Sequence, residues 1–213
     1  MLVCAAMPEE VWRFAKKMWE AGLVVGSAGN VSRRIDAARI AITPSAVPYE
    51  TMTPEQIVVV DVAGGTAESG VPSYELPMHL AIYRSHREVG AIVHTHAPYV
   101  TTLSVLRKPL PPIIDEMVVY LGGPVGVAEY AFTGTEMVGT NVVRALGDHT
   151  AVLLANHGTV CVGRDLAQAL HAAIVMESCA RVYVQSLAVG TPVELPTEAV
   201  AAGRRMFEER SKL

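Results

Sequence analysis

The sequence predicts a single α/β domain, and three observations predict it. Short apolar runs, such as the β-branched 57–60 and the apolar 151–155, alternate with longer stretches whose apolar residues recur at helical spacing. Of the 213 residues, 51% are apolar and only 18% are charged, a balance that favours a packed core over disorder. No repeat, low-complexity tract or linker interrupts the chain, so residues 1–213 are read as one domain.

Taken in order, residues 8–22 place Val11, Phe14, Ala15 and Met18 at helical spacing, with Leu23 just beyond. They close on Gly22, a natural C-terminal cap, and are expected to form an amphipathic helix against the core. Residues 25–32 (Val-Gly-Ser-Ala-Gly-Asn-Val-Ser) form a turn of small residues that feeds an extended segment. Its two glycines allow close backbone approach and Ser27 and Asn30 offer hydrogen bonds, so the stretch suits a small anion such as phosphate as well as an ordinary tight turn. Residues 40–46 are a short strand broken by Pro44, which leaves Thr43 and Ser45 on a loop. One helical turn at 54–56, a buried strand at 57–60 and a hairpin turn at 61–65 follow. A helix is expected at 76–86, with Pro77 in the first turn, where proline is tolerated.

Residues 89–93 read as a buried strand, β-branched at Ile92 and Val93, in a run that Pro98 stops. A short helix at 99–106 precedes a proline-rich loop at 109–112. Asp115 and Glu116, in the mostly apolar stretch 113–117, read as solvated loop residues. A turn at 122–124, a strand at 125–128, a helix at 135–146 and a strand at 151–155 come next. The long helix 166–189 ends at Gly190, with Pro192 beyond, and a more exposed helix spans 197–213.

Composition narrows the partners. A net charge of −4 gives no reason to expect nucleic acid or an anionic membrane. No apolar run approaches the roughly 20 residues that span a bilayer, and residues 1–7 lack the features of a signal peptide. Cys4, Cys161 and Cys179 are odd in number and far apart, so a disulfide framework is not expected and a reducing cytoplasm is.

Chemistry is concentrated in three stretches. Side chains on a strand alternate faces, so His94 and His96 point the same way. Alone, such a pair reads equally as two unrelated polar residues at a strand end. Glu75, just ahead of the 76–86 helix, and His157, at the end of the 151–155 strand, change that reading. Three histidines and a carboxylate at the edges of buried elements make a tetrahedral ligand set for a borderline cation such as Zn²⁺, with Mn²⁺, Co²⁺ or Fe²⁺ as alternatives. His86, His149 and His171 lie among charged or alanine-rich neighbours and are set aside. His79, one turn after Glu75, reads as a supporting group because the tetrahedron is already full.

Gly26–Ser32, Ile42-Thr43-Pro44-Ser45, Pro72-Ser73-x-Glu75, His94-x-His96 and Asn156-His157-Gly158 resemble, in order and spacing, the motifs of the class II aldolase/adducin family. The resemblance runs from about residue 8 to residue 190. It implies a three-layer α/β/α domain with a central, mostly antiparallel sheet, and a homotetramer with active sites at subunit interfaces. It also implies that His94, His96, His157 and Glu75 bind zinc, that Glu75 doubles as the catalytic acid/base, and that Gly29, Asn30, Ser45 and Ser73, beside Ser27 and Thr43, hold a substrate phosphate. The activity implied is a lyase of carbohydrate metabolism. It would cleave a ketose 1-phosphate, fuculose 1-phosphate or a related deoxy-sugar phosphate, to dihydroxyacetone phosphate and an aldehyde through a cation-stabilised enediolate. Decarboxylases, 4-epimerases, a dehydratase and non-catalytic adducin heads share the family.

Three places depart from its pattern. Tyr74 stands where the family aldolase has a small hydroxyl residue. Asp115 and Glu116 stand where it uses a tyrosine of the neighbouring subunit as proton donor, and Arg210 stands near the place of a tail tyrosine.

Overall fold

The computed structural model describes residues 2–63, 67 and 69–210. Its strands are β1 (Asn30–Arg34), β2 (Arg39–Ile42), β3 (Val58–Asp61), β4 (Ala91–Thr95), β5 (Val127–Ala128), β6 (Ala151–Leu154) and β7 (Gly158–Gly163). The helices are α1 (Leu2–Glu20), α2 (Leu76–Ser85), α3 (Pro98–Leu106), α4 (Asp115–Leu121), α5 (Glu136–Leu146), α6 (Leu166–Val189) and α7 (Thr197–Arg210), with one 3₁₀ turn at Pro54–Gln56. The strands form one seven-stranded sheet in the order β3-β2-β1-β4-β7-β6-β5, in which only β5 and β6 run parallel.

Alternation along these strands sorts the core into two layers. Val31, Ala41, Ala91, Val93, Leu153 and Cys161 face α1, α3, α4 and α6. Ile40, Ile42, Ile92, Val152, Leu154, Val160 and Val162 face α2 and α5. The result is the expected three-layer α/β/α domain with a mostly antiparallel sheet. Each fully buried aliphatic side chain contributes roughly 1.5–3 kcal/mol, so the register is firmly set. A slip of one residue in β4 would move Ile92 and His94 to the wrong face together.

Several boundaries differ from expectation. Residues 113–117 are not all loop: α4 starts at Asp115, with Asp115 and Glu116 in its first turn, where carboxylates suit the helix dipole. Met117, Val118 and Leu121 supply its buried side. β7 was not anticipated, because its Gly-Thr-Val-Cys-Val-Gly run is bounded by glycines and lacks alternation. α1 runs back to Leu2 through Pro8, whose φ is helical although it offers no N–H. The strand expected at 125–128 is cut to Val127–Ala128, with Val125 instead bridging Leu110. In the 61–65 turn, Gly64 and Gly65 lie outside the described residues, and Ala67 returns to bridge Val60. Of the terminal helix, residues 211–213 also lie outside them. By length and a mean hydropathy of 1.2 alone, α6 could cross a membrane, but Glu177 and Arg181 interrupt its apolar run and its apolar stripe packs into the first core layer.

Candidate metal centre

Four side chains from three segments meet where the central strands end. His94 shares the α2 face of the sheet with Ile92, and His96 follows just past β4. β1 lies beside β4 with Asn30 opposite His94, which brings the small-residue turn alongside. Glu75 is the N-cap of α2, and its backbone N–H donates to Ser73 Oγ at 3.3 Å. His157 sits in the β6–β7 turn, made possible by Asn156 in the left-handed region (φ 57°). A Cβ on Gly158 would lie 2.3 Å from the Thr95 carbonyl oxygen and 2.9 Å from His96 Cδ2, so only glycine lets this turn close on the cluster.

The three imidazole centroids form a near-equilateral triangle of 4.7, 4.8 and 4.8 Å. One ligand atom from each of Glu75, His94, His96 and His157 lies within 4.8 Å of all the others. His94 Nδ1–H donates to the Thr159 carbonyl at 2.9 Å, which leaves a lone pair on Nε2 of the neutral ring. That lone pair faces Glu75 Oε2 at 2.8 Å and His96 Nε2 at 2.9 Å, while His157 Nε2 faces Glu75 Oε1 at 3.2 Å. Acceptors packed this closely require positive charge between them. A proton serves one pair, whereas a divalent cation serves all four, and spacings near 3 Å suit atoms sharing an ion at roughly 2.0–2.1 Å. The donor set therefore fits a metal.

Electrostatics describe how the cluster balances its charge without the cation. Burial pushes the Glu75 carboxyl up, but His94 and His157 beside it outweigh burial and hold it well below the usual carboxylate range. His94 is buried, which works against its charge, yet Glu75 keeps its pKa raised. Burial, reinforced by His94, lowers His96 to about 3 and His157 to about 4, so both offer lone pairs at neutral pH.

Three of the cluster residues border a cavity of about 430 Å³, with His94 buried behind them. Ser27, Gly29, Asn30, Ser45 and Ser73 line it, together with Glu75, His96 and His157. Gly29 has φ 73°, and a Cβ there would lie 2.5 Å from the His94 carbonyl oxygen, so glycine lets the loop lie against β4. Tyr49, which the sequence did not single out, donates its hydroxyl to the Gly29 carbonyl at 2.7 Å. Thr43 is not brought to the cavity: it is buried, and its Oγ1 accepts from Val31 N at 3.2 Å. Asp115 and Glu116 do not line it either, being exposed on α4.

Sequence reasoning missed the opposite wall, Tyr130 to Thr133, where the Thr133 hydroxyl donates to Glu75 Oε1 at 2.9 Å. Tyr74, which stands where the family aldolase has a small hydroxyl residue, packs its ring at Gly134 and shares the rim with the exposed Tyr130 and Phe132.

Comparison with known proteins bears on these features. Residues 9–184 match the family model described as the Class II Aldolase and Adducin N-terminal domain. The chain is 34% identical over 202 residues to a 5-deoxy-D-ribulose 1-phosphate aldolase of Bacillus thuringiensis serovar kurstaki, covering 94% of each chain. It is 36% identical over 193 residues to an L-fuculose phosphate aldolase of Escherichia coli O6:H1, covering 90% of this chain and 89% of the relative. Among solved structures, an L-fuculose 1-phosphate aldolase superposes with a TM-score of 0.90 at 35% identity, covering 95% of this chain and 96% of the other.

Proposed function

The chain belongs to the class II aldolase and adducin family, and from that premise we propose that it is a zinc-dependent aldolase. Its substrate is a ketose 1-phosphate with a deoxygenated far end, and its products are dihydroxyacetone phosphate and an aldehyde. The observation that carries this reading is the convergence of three imidazoles and a carboxylate beside a cavity whose wall is a loop of small residues. Glu75, His94, His96 and His157 would hold the cation. A divalent ion there supplies positive charge where retro-aldol cleavage develops negative charge, without a lysine Schiff base.

In the reaction, the C3–C4 bond breaks, the C4 hydroxyl loses its proton, and C4 leaves as an aldehyde carbonyl. The electron pair stays on the three-carbon fragment, which takes a proton at C3. Glu75 is the group proposed to carry that proton, since Asn30 and Thr133 donate to its two oxygens at 2.9 Å each and fix its plane. The loop at Ser27, Gly29 and Asn30, with Ser45 and Ser73, anchors the phosphate so that the reacting carbons meet the metal centre in one orientation. Asp115 and Glu116 enter the reaction only from a neighbouring subunit of a homotetramer, as proton donors.

The substrate class is supported by the rim. Tyr74, Tyr130 and Phe132 remain 61%, 55% and 64% exposed and give one side of the cavity an apolar character. Such a wall suits a methyl end, as in 5-deoxyribulose 1-phosphate, better than a hydroxymethyl end.

The test is to incubate metal-loaded protein with 5-deoxyribulose 1-phosphate, fuculose 1-phosphate and ribulose 1-phosphate and to identify the three-carbon product. Dihydroxyacetone phosphate is expected, with kcat/KM about tenfold higher for the deoxy substrate than for ribulose 1-phosphate. Carbon dioxide from a sugar acid, or an epimer without cleavage, would replace this reading with another reaction. Purified protein with less than about a tenth of an equivalent of divalent metal, and no rescue on adding it, would remove the enzyme reading altogether.

A further inference from the structure

α2 presents Glu75, His79 and Tyr83 at intervals of four residues, one stripe on a helix, and β1 presents Asn30 and Ser32 at an interval of two, one face of a strand. The two rows interlock. Asn30 Nδ2 lies 2.9 Å from Glu75 Oε2, and Asn30 Oδ1 meets His79 Nε2. Ser32 Oγ lies 2.6 Å from His79 Nδ1 and 2.9 Å from Tyr83 OH. All five residues are buried, with His79 and Ser32 fully so.

The polarity of this ladder has one solution. An ionised carboxylate only accepts, so Asn30 turns its amide N–H₂ to Glu75 and its carbonyl oxygen to His79. His79 Nε2 must then carry the proton. Its Nδ1 is left as a lone pair that accepts from the Ser32 hydroxyl, which in turn accepts from Tyr83. Burial lowers His79 to about 3, in keeping with a neutral ring of fixed tautomer.

We propose that His79 is a positioning residue: its Nε2–H, oriented by Ser32 and Tyr83, locks the Asn30 amide so that a donor and never a carbonyl faces Glu75. Asn30 also belongs to the small-residue loop, so the same bond ties the loop that would hold phosphate to the carboxylate that would carry the proton. If the amide turned over, two oxygens would face each other across 2.9 Å and Glu75 would be pushed out of plane. The inference rests on the reading of Glu75 as the proton carrier.

Two measurements test it. In protein labelled with ¹⁵N-histidine, long-range ¹H–¹⁵N spectra of the metal-loaded form report the His79 tautomer directly, whether or not any substrate turns over, so this result is separate from the aldolase reading. The Nε2–H form is expected, and the Nδ1–H form would overturn the proposal. In turnover, His79→Leu is expected to lower kcat about tenfold or more with bound metal unchanged. His79→Gln, which restores an N–H toward Asn30, should recover kcat to within about threefold. Tyr83→Phe should stay within about twofold, because Ser32 can still donate. Wild-type kcat in His79→Leu, or equal losses in His79→Leu and His79→Gln, would reduce the ladder to filling a buried polar seam. Should His79→Leu fail to fold, the wild-type tautomer and the His79→Gln kcat carry the decision.

Discussion

Each oxygen of Glu75 has two neighbours of different kinds. Oε1 meets His157 Nε2 and the Thr133 hydroxyl; Oε2 meets His94 Nε2 and the Asn30 amide. The imidazole contacts point to the proposed cation, and the other two would remain if the carboxylate let go of it. Glu75→Gln can keep both, with its carbonyl toward Asn30 and its amide toward Thr133, whose hydroxyl also accepts. The variant should therefore bind metal in full by elemental analysis while kcat falls by about 10²–10⁴, the usual worth of a positioned acid or base. Undiminished turnover would refute the role. His96→Ala, in contrast, should lose metal and activity together, and full metal occupancy in that variant would count against its place in the cluster. The four converging residues were legible because each sits at the edge of an apolar run. Thr133 was not, since it lies 58 residues beyond Glu75 in a loop with no spacing to mark it.

Among the elements, α3 braces two of the histidines from its two ends. At its start, just after His96, the Glu177 carboxylate of α6 accepts from Tyr99 N at 3.1 Å and Val100 N at 2.9 Å, serving as an N-cap supplied from another helix. Near its end, buried Ser104 accepts from His157 N at 2.8 Å and donates to the Leu154 carbonyl, pinning the β6–β7 turn. Ser104→Ala removes both bonds and leaves His157 N only its 3.0 Å bond to the Leu154 carbonyl, so it should cost about 1 kcal/mol in thermal or denaturant melts and weaken metal binding by calorimetry. Unchanged metal affinity would show that the turn holds His157 without Ser104. α3 itself could be read from its sequence, but neither brace could, because both partners are distant in the chain. α4 carried a usable signal, two acids ahead of Met117, Val118 and Leu121 with Gly122 closing it at φ 90°, yet two acids in a short apolar run read equally well as loop. β7 became a strand through pairing with β4 and β6, a cause that no window of its own residues contains.

Among the described residues, His79, His94, His96, His157 and Glu75 bring their shifted pKa values together on one side of the sheet, and this shapes how the molecule should respond to pH. Burial, with His94 adding to it, lowers His79 and His96 to about 3 and His157 to about 4, against an ordinary value of 6.5. The unfolded chain protonates all three near that ordinary value. Below it the unfolded state binds more protons than the folded state, so metal-free protein loses stability as pH falls, by up to about 1.4 kcal/mol per pH unit for each histidine. His94 has the opposite sign: its raised pKa contributes stability that is complete below 6.5 and fades only as pH rises through the folded value, so it does not flatten the acid limb. Glu75, with its lowered pKa, contributes stability above its ordinary 4.5 that is lost as pH falls further, so it steepens the lowest part. A cation adds about 2.7 kcal/mol at a hundred times its dissociation constant, and it too needs unprotonated imidazoles. Chelator-treated protein should therefore melt below metal-loaded protein at pH 7, and its Tm should drop steeply between pH 6.5 and 4.5. Scanning melts across that range, with and without added zinc, measure both effects. A chelated protein whose Tm is flat from pH 7 to pH 5 would mean that the three histidines are not held neutral by the fold, and the electrostatic basis of the cluster would have to be abandoned.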